Sequence, residues 1–306
     1  MQTKLIFTFY PLIPLSVAAH RDWSGVVLLS TGPRSDEVTR LIEKAARRAR
    51  SASTPHMRFY AITSGIITSG VNGSGAEHCG LRLLELDDQG IYKEPVYVPP
   101  EKMSKNLRKA SLNHRHKNFV KPFTVHYRTV ATNRQLAVSL VELSTCATKW
   151  SFVQCFLAYK AAFVLGDLFF SRRVKHLLGQ PVVITPKKQL PAAELRAQLD
   201  HYYSGGGMEP LSRKLQQALG VRRNAQVPLM IHCAGLTLPG LRKSLLSTKM
   251  ENVVLPKEEN DDTLERPANE KDIIITADKW HQLPDHFRYT LERLELNLND
   301  PNRSTT

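Results

Sequence analysis

The spacing of apolar residues divides the chain into segments of helical period and segments of alternating period. Apolar residues that recur three or four positions apart predict helices, and short apolar runs bounded by turn residues predict strands. The segments with helical spacing are 35–50, 167–178, 190–203, 211–219, 238–246 and 285–298. The segments with strand character are 26–29, 57–63, 66–68, 79–86, 91–98, 124–129, 135–143, 151–164, 181–185, 227–234, 253–255 and 273–276. This mixture predicts an α+β protein that is mainly β, with short helices.

The polar stretch 144–149 lies between two apolar segments and marks a domain boundary. A chain of 306 residues is long enough for two domains of ordinary size. We therefore predict an N-terminal domain over 1–146 and a C-terminal domain over 147–306. The segment 285–298 has an apolar stripe at helical spacing, formed by Phe287, Leu291, Leu294 and Leu298. This stripe packs either on its own domain or on a partner, and the sequence leaves both interpretations open.

The chain is strongly basic, with a formal net charge of +14. The cations are concentrated before residue 251, whereas the remainder of the chain is acidic. Paired and clustered cations predict a large polyanionic partner, which could be an anionic membrane, a nucleic acid or a nucleoprotein. The predicted polyanion-binding residues are Arg213, Lys214, Arg222, Arg223, Arg242 and Lys243, followed by Lys102, Lys105, Arg108, Lys109, Arg115 and Lys117.

Residues that could carry catalysis or bind a metal are scattered. The histidines His126, His201 and His232 are isolated from one another, and the four cysteines form no Cys-x-x-Cys pair. The glycines between Gly65 and Gly75 are followed by neither Lys-Ser/Thr nor a predicted helix, which argues against a phosphate-binding loop. His232 lies in an apolar run and is predicted to pack in the core. We therefore predict a non-enzymatic protein without a metal site or a cofactor.

The order of several short segments resembles paramyxovirus-type (Mononegavirales) matrix proteins. The C-terminal likeness rests on 211–219, 220–223, 228–231 and 241–247, and the N-terminal likeness rests on 83–88, Gly90, Tyr92, 95–103 and 138–143. The resemblance implies two consecutive β-sandwich domains of similar topology, which dimerise and form a lattice under the anionic inner leaflet of a membrane. It further implies contacts with viral nucleoprotein and glycoprotein tails, and a role in virus assembly and budding. The expected locations are the virion, the host cytoplasm, the inner face of the plasma membrane and, transiently, the nucleus.

Two short signals fit that interpretation. Tyr10-Pro11, followed by Leu15, matches the late motif that recruits host budding machinery. A nuclear-import signal is predicted from two basic groups, Arg172, Arg173 and Lys175 with Lys187 and Lys188. The apolar run 5–17 imitates a signal peptide, but Pro11 and Pro14 interrupt it and argue against cleavage.

The alternative interpretation is a basic viral nucleic-acid-binding protein that serves movement or RNA packaging. It uses the same cations, because phosphates and anionic lipids present similar fields. Stacking groups for the bases would be Tyr97, Phe119, Phe123 and Tyr127, although core packing is the expected role of these aromatic side chains.

Overall fold

The computed structural model describes residues 4–8, 24–25, 27–31, 35–52, 54–68, 70–89, 93–103, 120–146, 151–178, 180–184, 190–203, 211–247 and 272–298. The strands are β1 (Lys4–Thr8), β2 (Ser24–Gly25), β3 (Val27–Thr31), β4 (Met57–Ser64), β5 (Ser74–Glu85), β6 (Lys93–Val98), β7 (Val120–Asn133), β8 (Val138–Thr145), β9 (Phe163–Val164), β10 (Val174–Leu177), β11 (Gln180–Val183), β12 (Ile231–Leu238) and β13 (Ile273–Thr276). The helices are α1 (Ser35–Ser51), α2 (Phe152–Tyr159), α3 (Ala192–Tyr203), α4 (Arg213–Leu219), α5 (Leu241–Ser247) and α6 (Asp285–Arg293). Short 3-10 turns cover Ser171–Arg173, Asn224–Gln226 and Trp280–Gln282.

One large sheet organises the fold, with the strand order β13-β12-β4-β8-β7-β5-β6. Neighbouring strands in this order are antiparallel, while β2 adds a parallel pairing to β12. This is an α+β architecture, as the apolar pattern predicts. Two consecutive sandwiches are not confirmed, because β12 and β13 join the same sheet as β4 to β8. The domain boundary at 146/147 stays a prediction.

One face of the sheet is covered by α2, whose residues Phe152–Ala158 are all buried. Phe152 stacks on Phe123 of β7 with ring centroids 4.5 Å apart, and Phe59 and Leu143 complete the apolar layer below the helix. The sequence predicts a strand over 151–164, and that prediction is wrong for 152–159, although β9 lies at its end. A short run that is apolar on every side has no period, so it fits a buried helix as well as a buried strand.

The segment 167–178 is likewise not the predicted helix. The carboxylate of Asp167 accepts hydrogen bonds from the backbone N–H groups of Phe169 and Phe170, at 2.8 and 3.0 Å, and turns the chain before a helix can form. The 3-10 turn Ser171–Arg173 follows, and β10 then pairs with β11 in a two-stranded hairpin. Residues 66–68 do not form a strand either, and the predicted strand 253–255 lies outside the described residues.

The last helix, α6, packs on its own fold. Phe287 and Leu291, together with Leu294 just beyond the helix, are fully buried, and the helix contacts α4. Of the two interpretations of this stripe, packing within the chain is therefore the one that the structure shows. Within the described part of the chain, no helix has the length and apolarity needed to cross a membrane.

Candidate functional site

A polar cluster lies at the end of α2, where the register of three strands brings distant residues together. Gly75 of β5 pairs with Tyr127 of β7, and Leu81 of β5 pairs with Tyr97 of β6. Glu77 lies between these two pairs and points to the same face as Cys79, because strand side chains alternate. Lys160 follows α2 directly and reaches this face from above. We call Glu77, Tyr97, Tyr127 and Lys160 the carboxylate cluster.

The cluster is held together by hydrogen bonds to one carboxylate. The hydroxyl of Tyr97 donates to Oε2 of Glu77 at 2.6 Å, and the hydroxyl of Tyr127 donates to Oε1 at 3.2 Å. The ammonium group of Lys160 donates to Oε1 as well. The Lys160 nitrogen also lies 5.5 Å from the ring centroids of both Tyr127 and Phe156, within the range of a cation–π contact. These contacts fix the orientation of the carboxylate group.

The electrostatics of the cluster keep Glu77 ionised. Burial by itself raises the pKa of Glu77, but the hydrogen bonds from Lys160 and Tyr97 outweigh it and hold this pKa below its ordinary value. Burial, together with the neighbouring Cys79 and Glu77, raises the pKa of Tyr97, so its phenol stays protonated. The cluster at neutral pH is thus a carboxylate surrounded by an ammonium and two hydroxyl donors.

Gly75 is the local feature that lets Tyr127 approach. A Cβ atom at Gly75 would lie 2.8 Å from the Tyr127 hydroxyl oxygen and 2.9 Å from the adjacent ring carbon. Any larger residue would push the phenol away from Glu77. The tight packing of β5 against Tyr127 is therefore the role of this glycine.

An aromatic surface borders the cluster. The ring of Tyr159, at the end of α2, packs against that of Tyr97, with centroids 4.1 Å apart and the ring planes tilted by 32°. Tyr159 is 36% exposed, whereas Tyr97 beneath it is buried. An exposed tyrosine ring is a stacking platform that fits any nucleobase, because every base has a π-face. The carboxylate cluster and this platform together form the candidate site.

The other face of the sheet carries a second set of polar contacts. Arg58 of β4 pairs with Asp278, and Arg128 of β7 donates to Glu142 of β8 at 2.9 Å. Tyr60 lies between these pairs, and burial followed by the charge of Glu142 raises its pKa. Glu142 and Asp278 each accept from an arginine, whereas Glu77 accepts from two phenols and an ammonium group. These opposite-face pairs are a natural comparison for the candidate site.

His232 and Cys233 are core residues, as the sequence predicts. Nε2 of His232 donates to the backbone carbonyl of Ala277 at 2.7 Å, and Nδ1 lies 3.2 Å from the Ser24 hydroxyl. Both ring nitrogens thus have structural partners in a fully buried position. Burial lowers the pKa of His232 from 6.5 to about 4, since the charged imidazolium is disfavoured away from water.

This buried histidine predicts a loss of stability in acid. The unfolded chain binds a proton at His232 near pH 6.5, whereas the folded chain does so only near pH 4. The stability that neutral His232 provides is therefore fully present above pH 6.5. The free energy of unfolding then declines by about 3 kcal/mol as the pH falls to 4. Urea unfolding of the wild type and of His232→Gln at both pH values checks this. The advantage of the wild type should shrink by that amount at pH 4, and parallel pH curves would contradict it.

The structure describes seven of the predicted polyanion-binding cations, in three segments of the chain. Arg213 and Lys214 lie exposed in the first turn of α4, and Arg222 and Arg223 lie exposed shortly after it. Arg242 and Lys243 are on α5, which packs against α1. Lys102 is exposed, and the remaining loop cations lie outside the described residues. No observation tests polyanion binding by these residues, which stays a prediction.

The predicted nuclear-import residues are placed differently from the sequence expectation of an outward-facing group. Arg173 is buried and donates to Glu94 at 2.7 Å, and Arg172 pairs with the same carboxylate. Lys175 is partly exposed on β10. The second group, Lys187 and Lys188, lies outside the described residues, as does the predicted late motif of Tyr10, Pro11 and Leu15.

Sequence reasoning missed Glu77 as a site residue. One signal was available in the sequence. Glu77 is a charged residue two and four positions before the buried Cys79 and Leu81, so it lies on the same face of the strand as they do. The predicted strand began at Cys79, so Glu77 was left outside it. Tyr97 and Tyr127 were expected in the core, and they are buried there. The described residues contain no group of His, Cys, Asp or Glu side chains arranged to bind a metal.

Comparison with known proteins places the chain near RNA-modifying enzymes. It is 30% identical over 225 residues to the mitochondrial mRNA pseudouridine synthase RPUSD3 of Homo sapiens, an alignment that covers 74% of this chain and 54% of that protein. The Bos taurus protein of the same name is 28% identical over 225 residues, covering 74% of this chain and 56% of the relative. The chain thus spans about half the length of the curated relatives it matches. No model of a protein family matches it.

Among solved structures, the chain is similar to human RNA pseudouridylate synthase domain containing 4. The TM-score is 0.49 at 14% identity, over 92% of this chain and 76% of that one. Human RNA pseudouridylate synthase domain containing 1 gives a TM-score of 0.38 at 11% identity, over 73% and 62% of the two chains.

The relatives overturn the predicted identity. The matrix-protein resemblance is wrong, because the alignment to pseudouridine synthases spans 225 residues and the resemblance rested on short segments. The predicted viral functions are wrong as well. This applies to lattice assembly and to the alternative of movement or RNA packaging. The predicted lipid, nucleoprotein and glycoprotein partners and the virion and plasma-membrane location fail for the same reason. The prediction of a non-enzymatic protein is also wrong, since the proteins that this chain resembles are synthases.

Proposed function

We propose that this chain binds RNA and converts uridine in that RNA to pseudouridine. The observation that carries the proposal is the 30% identity over 225 residues to a protein named as an mRNA pseudouridine synthase. The basic character of the chain supports it, because RNA is a polyanion. The chain provides a polar site with an ionised carboxylate and an exposed aromatic ring beside it.

The reaction is an isomerisation that needs no oxidant, reductant or second substrate. The glycosidic bond between C1′ and N1 breaks, the uracil ring turns, and a bond forms between C1′ and C5. The hydrogen on C5 leaves as a proton, and N1 gains a proton, so atoms and electrons balance. The electron-poor C1′ that appears when N1 leaves needs a nearby negative charge, which carboxylates supply in other glycosidic reactions.

We assign this role to Glu77. Its lowered pKa keeps the carboxylate negative at neutral pH, and its three hydrogen bonds hold it in one orientation. The protonated phenol of Tyr97 donates to the same carboxylate and holds it in place. Tyr159 is the surface on which the uracil ring stacks.

The proposed activity can be tested directly through the hydrogen on C5. A pool of unmodified transcripts labelled with tritium at C5 of uridine should release tritium to solvent when the purified chain is added, because each isomerisation frees that hydrogen. Chromatography of the digested nucleosides should show a pseudouridine peak that grows at the same rate. A folded protein that binds the transcripts yet releases no tritium would contradict the proposal.

Replacing Tyr159 with alanine is expected to weaken RNA binding. Loss of one stacked base costs about 1–3 kcal/mol, which is roughly a 5- to 150-fold rise in Kd. The measurement is fluorescence anisotropy with a labelled single-stranded RNA. Tyr289→Ala is the matched control, because Tyr289 is another half-exposed tyrosine on a helix, far along the chain on α6. Equal Kd values for the two variants would show that Tyr159 does not stack on the RNA.

A further inference from the structure

A short turn after α4 presents two adjacent arginines to solvent. The helix ends at Gly220, whose φ of 68° forms a left-handed C-cap, a conformation that glycine adopts readily. Arg222 and Arg223 follow and are both exposed, and the 3-10 turn Asn224–Gln226 comes directly after them. We call residues 222–226 the arginine turn.

The backbone of the arginine turn is fixed by one of its own side chains. Oε1 of Gln226 accepts hydrogen bonds from the backbone N–H groups of Arg222 and Arg223, at 2.8 and 3.0 Å. Both arginines therefore start from a defined backbone position. Because these two N–H groups already have an acceptor, an anion that binds here is held by the guanidinium groups.

A buried amide joins the arginine turn to the rest of the fold. The Oδ1 atom of Asn224 accepts from the backbone N–H of Gly166 at 2.8 Å, and its Nδ2 atom donates to the carbonyl of Asp167 at 2.9 Å. Lys160 of the carboxylate cluster lies six residues before Gly166, so their Cα atoms are at most about 22 Å apart. The anchor of the turn and the candidate site are therefore within reach of a single RNA strand.

The fold gives no internal reason for the positive charge at this surface. The segment 210–250 contains no Asp or Glu, and within the described part of the chain neither Arg222 nor Arg223 pairs with a carboxylate. Arg213 and Lys214 add two exposed cations in the first turn of α4, where the helix dipole disfavours positive charge. Helix stability does not account for these cations, whereas an anionic partner does.

Two guanidinium groups on neighbouring residues fit the phosphates of a nucleic-acid strand. A guanidinium group is planar and can donate to two oxygens of one phosphate at once. We propose that the arginine turn binds the phosphate backbone of the RNA, outside the candidate site, through Arg222 and Arg223. Phosphate contacts position an RNA strand but do not read its sequence. This inference rests on the proposed function for its choice of RNA as the polyanion.

The test is the double variant Arg222→Gln with Arg223→Gln in the full chain. Each phosphate contact to a single strand contributes about 0.7 to the slope of log Kd against log salt concentration, so loss of two contacts should lower that slope by about 1.4. The Kd for a labelled single-stranded RNA should rise roughly 25-fold at ~0.1 M salt and should approach the wild-type value at ~1 M. Strands with and without uridine should be affected equally, because the contacts are to phosphates.

Arg47→Gln with Arg128→Gln is the matched control. Each of these arginines is exposed and already pairs with a carboxylate, Arg47 with Glu43 and Arg128 with Glu142. Both double variants lower the net charge by the same amount, so a general loss of positive charge would affect them alike. The control should keep nearly the wild-type slope and Kd.

Several outcomes would overturn the inference. An unchanged salt slope in the arginine-turn variant, with a normal unfolding curve, would do so, as would equal losses of affinity in this variant and in the control. A variant that loses free energy of unfolding but keeps full RNA affinity would show that the arginines act within the chain. Binding is measured without catalysis, so an absence of tritium release tests the proposed function separately from the arginine turn.

Discussion

Replacing Glu77 with glutamine is expected to lower the rate of pseudouridine formation by roughly 10²- to 10³-fold, the range typical when one group that stabilises developing charge is removed. Glutamine keeps the size of the side chain but cannot carry the negative charge that stabilises an electron-poor C1′. Single-turnover tritium release at saturating protein measures the chemical step apart from RNA binding, whose Kd should change little. An unfolding curve taken alongside shows whether the variant is folded, because Lys160 loses its counter-charge.

Glu142→Gln is the matched control for this experiment. Glu142 is 14% exposed and Glu77 is 17% exposed, and each is a strand carboxylate paired with a cation. The two differ in the face of the sheet that they occupy and in the phenols that surround Glu77. We expect Glu142→Gln to retain nearly full activity. If both variants lose activity equally, or if Glu77→Gln remains active, Glu77 is not the group that acts on the ribose.

The second large effect is expected on stability, from Arg173→Met. Arg173 is buried with its guanidinium between Glu94 and the ring of Phe170, 4.7 Å from the ring centroid. Removing its charge leaves the Glu94 carboxylate buried beside one remaining arginine, and breaking such a buried pair costs about 3–5 kcal/mol. Methionine retains much of the apolar volume, so the loss reflects the charge. Urea unfolding at pH 7 measures it.

Arg128→Met provides the comparison for this prediction. Arg128 also pairs with a strand carboxylate, Glu142, but its side chain is 63% exposed. Solvent screens such a pair, and exposed pairs typically contribute under about 1 kcal/mol. The loss in free energy of unfolding should therefore be several-fold larger for Arg173→Met than for Arg128→Met. Similar costs would show that Arg173 is not held as a buried ion pair.

The local fold was predictable where an element has a clear period and a clear end. The helix from Ser35 and the strand Ile273–Thr276 were predicted close to their observed bounds. The wrong predictions were for segments whose secondary structure depends on contacts with other elements. The run 152–159, apolar except at Gln154, forms a helix because it covers the sheet. The segment 167–178 has a helical spacing, but the hydrogen bonds to Asp167 form a turn at its start. Arg173 is buried because it pairs with Glu94.

The wrong family resemblance has a related cause. It rested on short segments, each a helix, a turn or a strand with common residue types. Such segments recur in unrelated folds, because they express the periods of secondary structure more than a particular topology. The alignment over 225 residues to RPUSD3 outweighs them, since it compares the order of residues along most of the chain.

By itself, the sequence determined the basic character of the chain, its α+β class, and many of its helices and strands, because these follow from composition and local period. Only the tertiary structure decided the candidate site. Residues 77, 97, 127 and 160 meet through strand register and the position of α2. Such long-range pairings depend on how the whole sheet assembles, which no local pattern specifies.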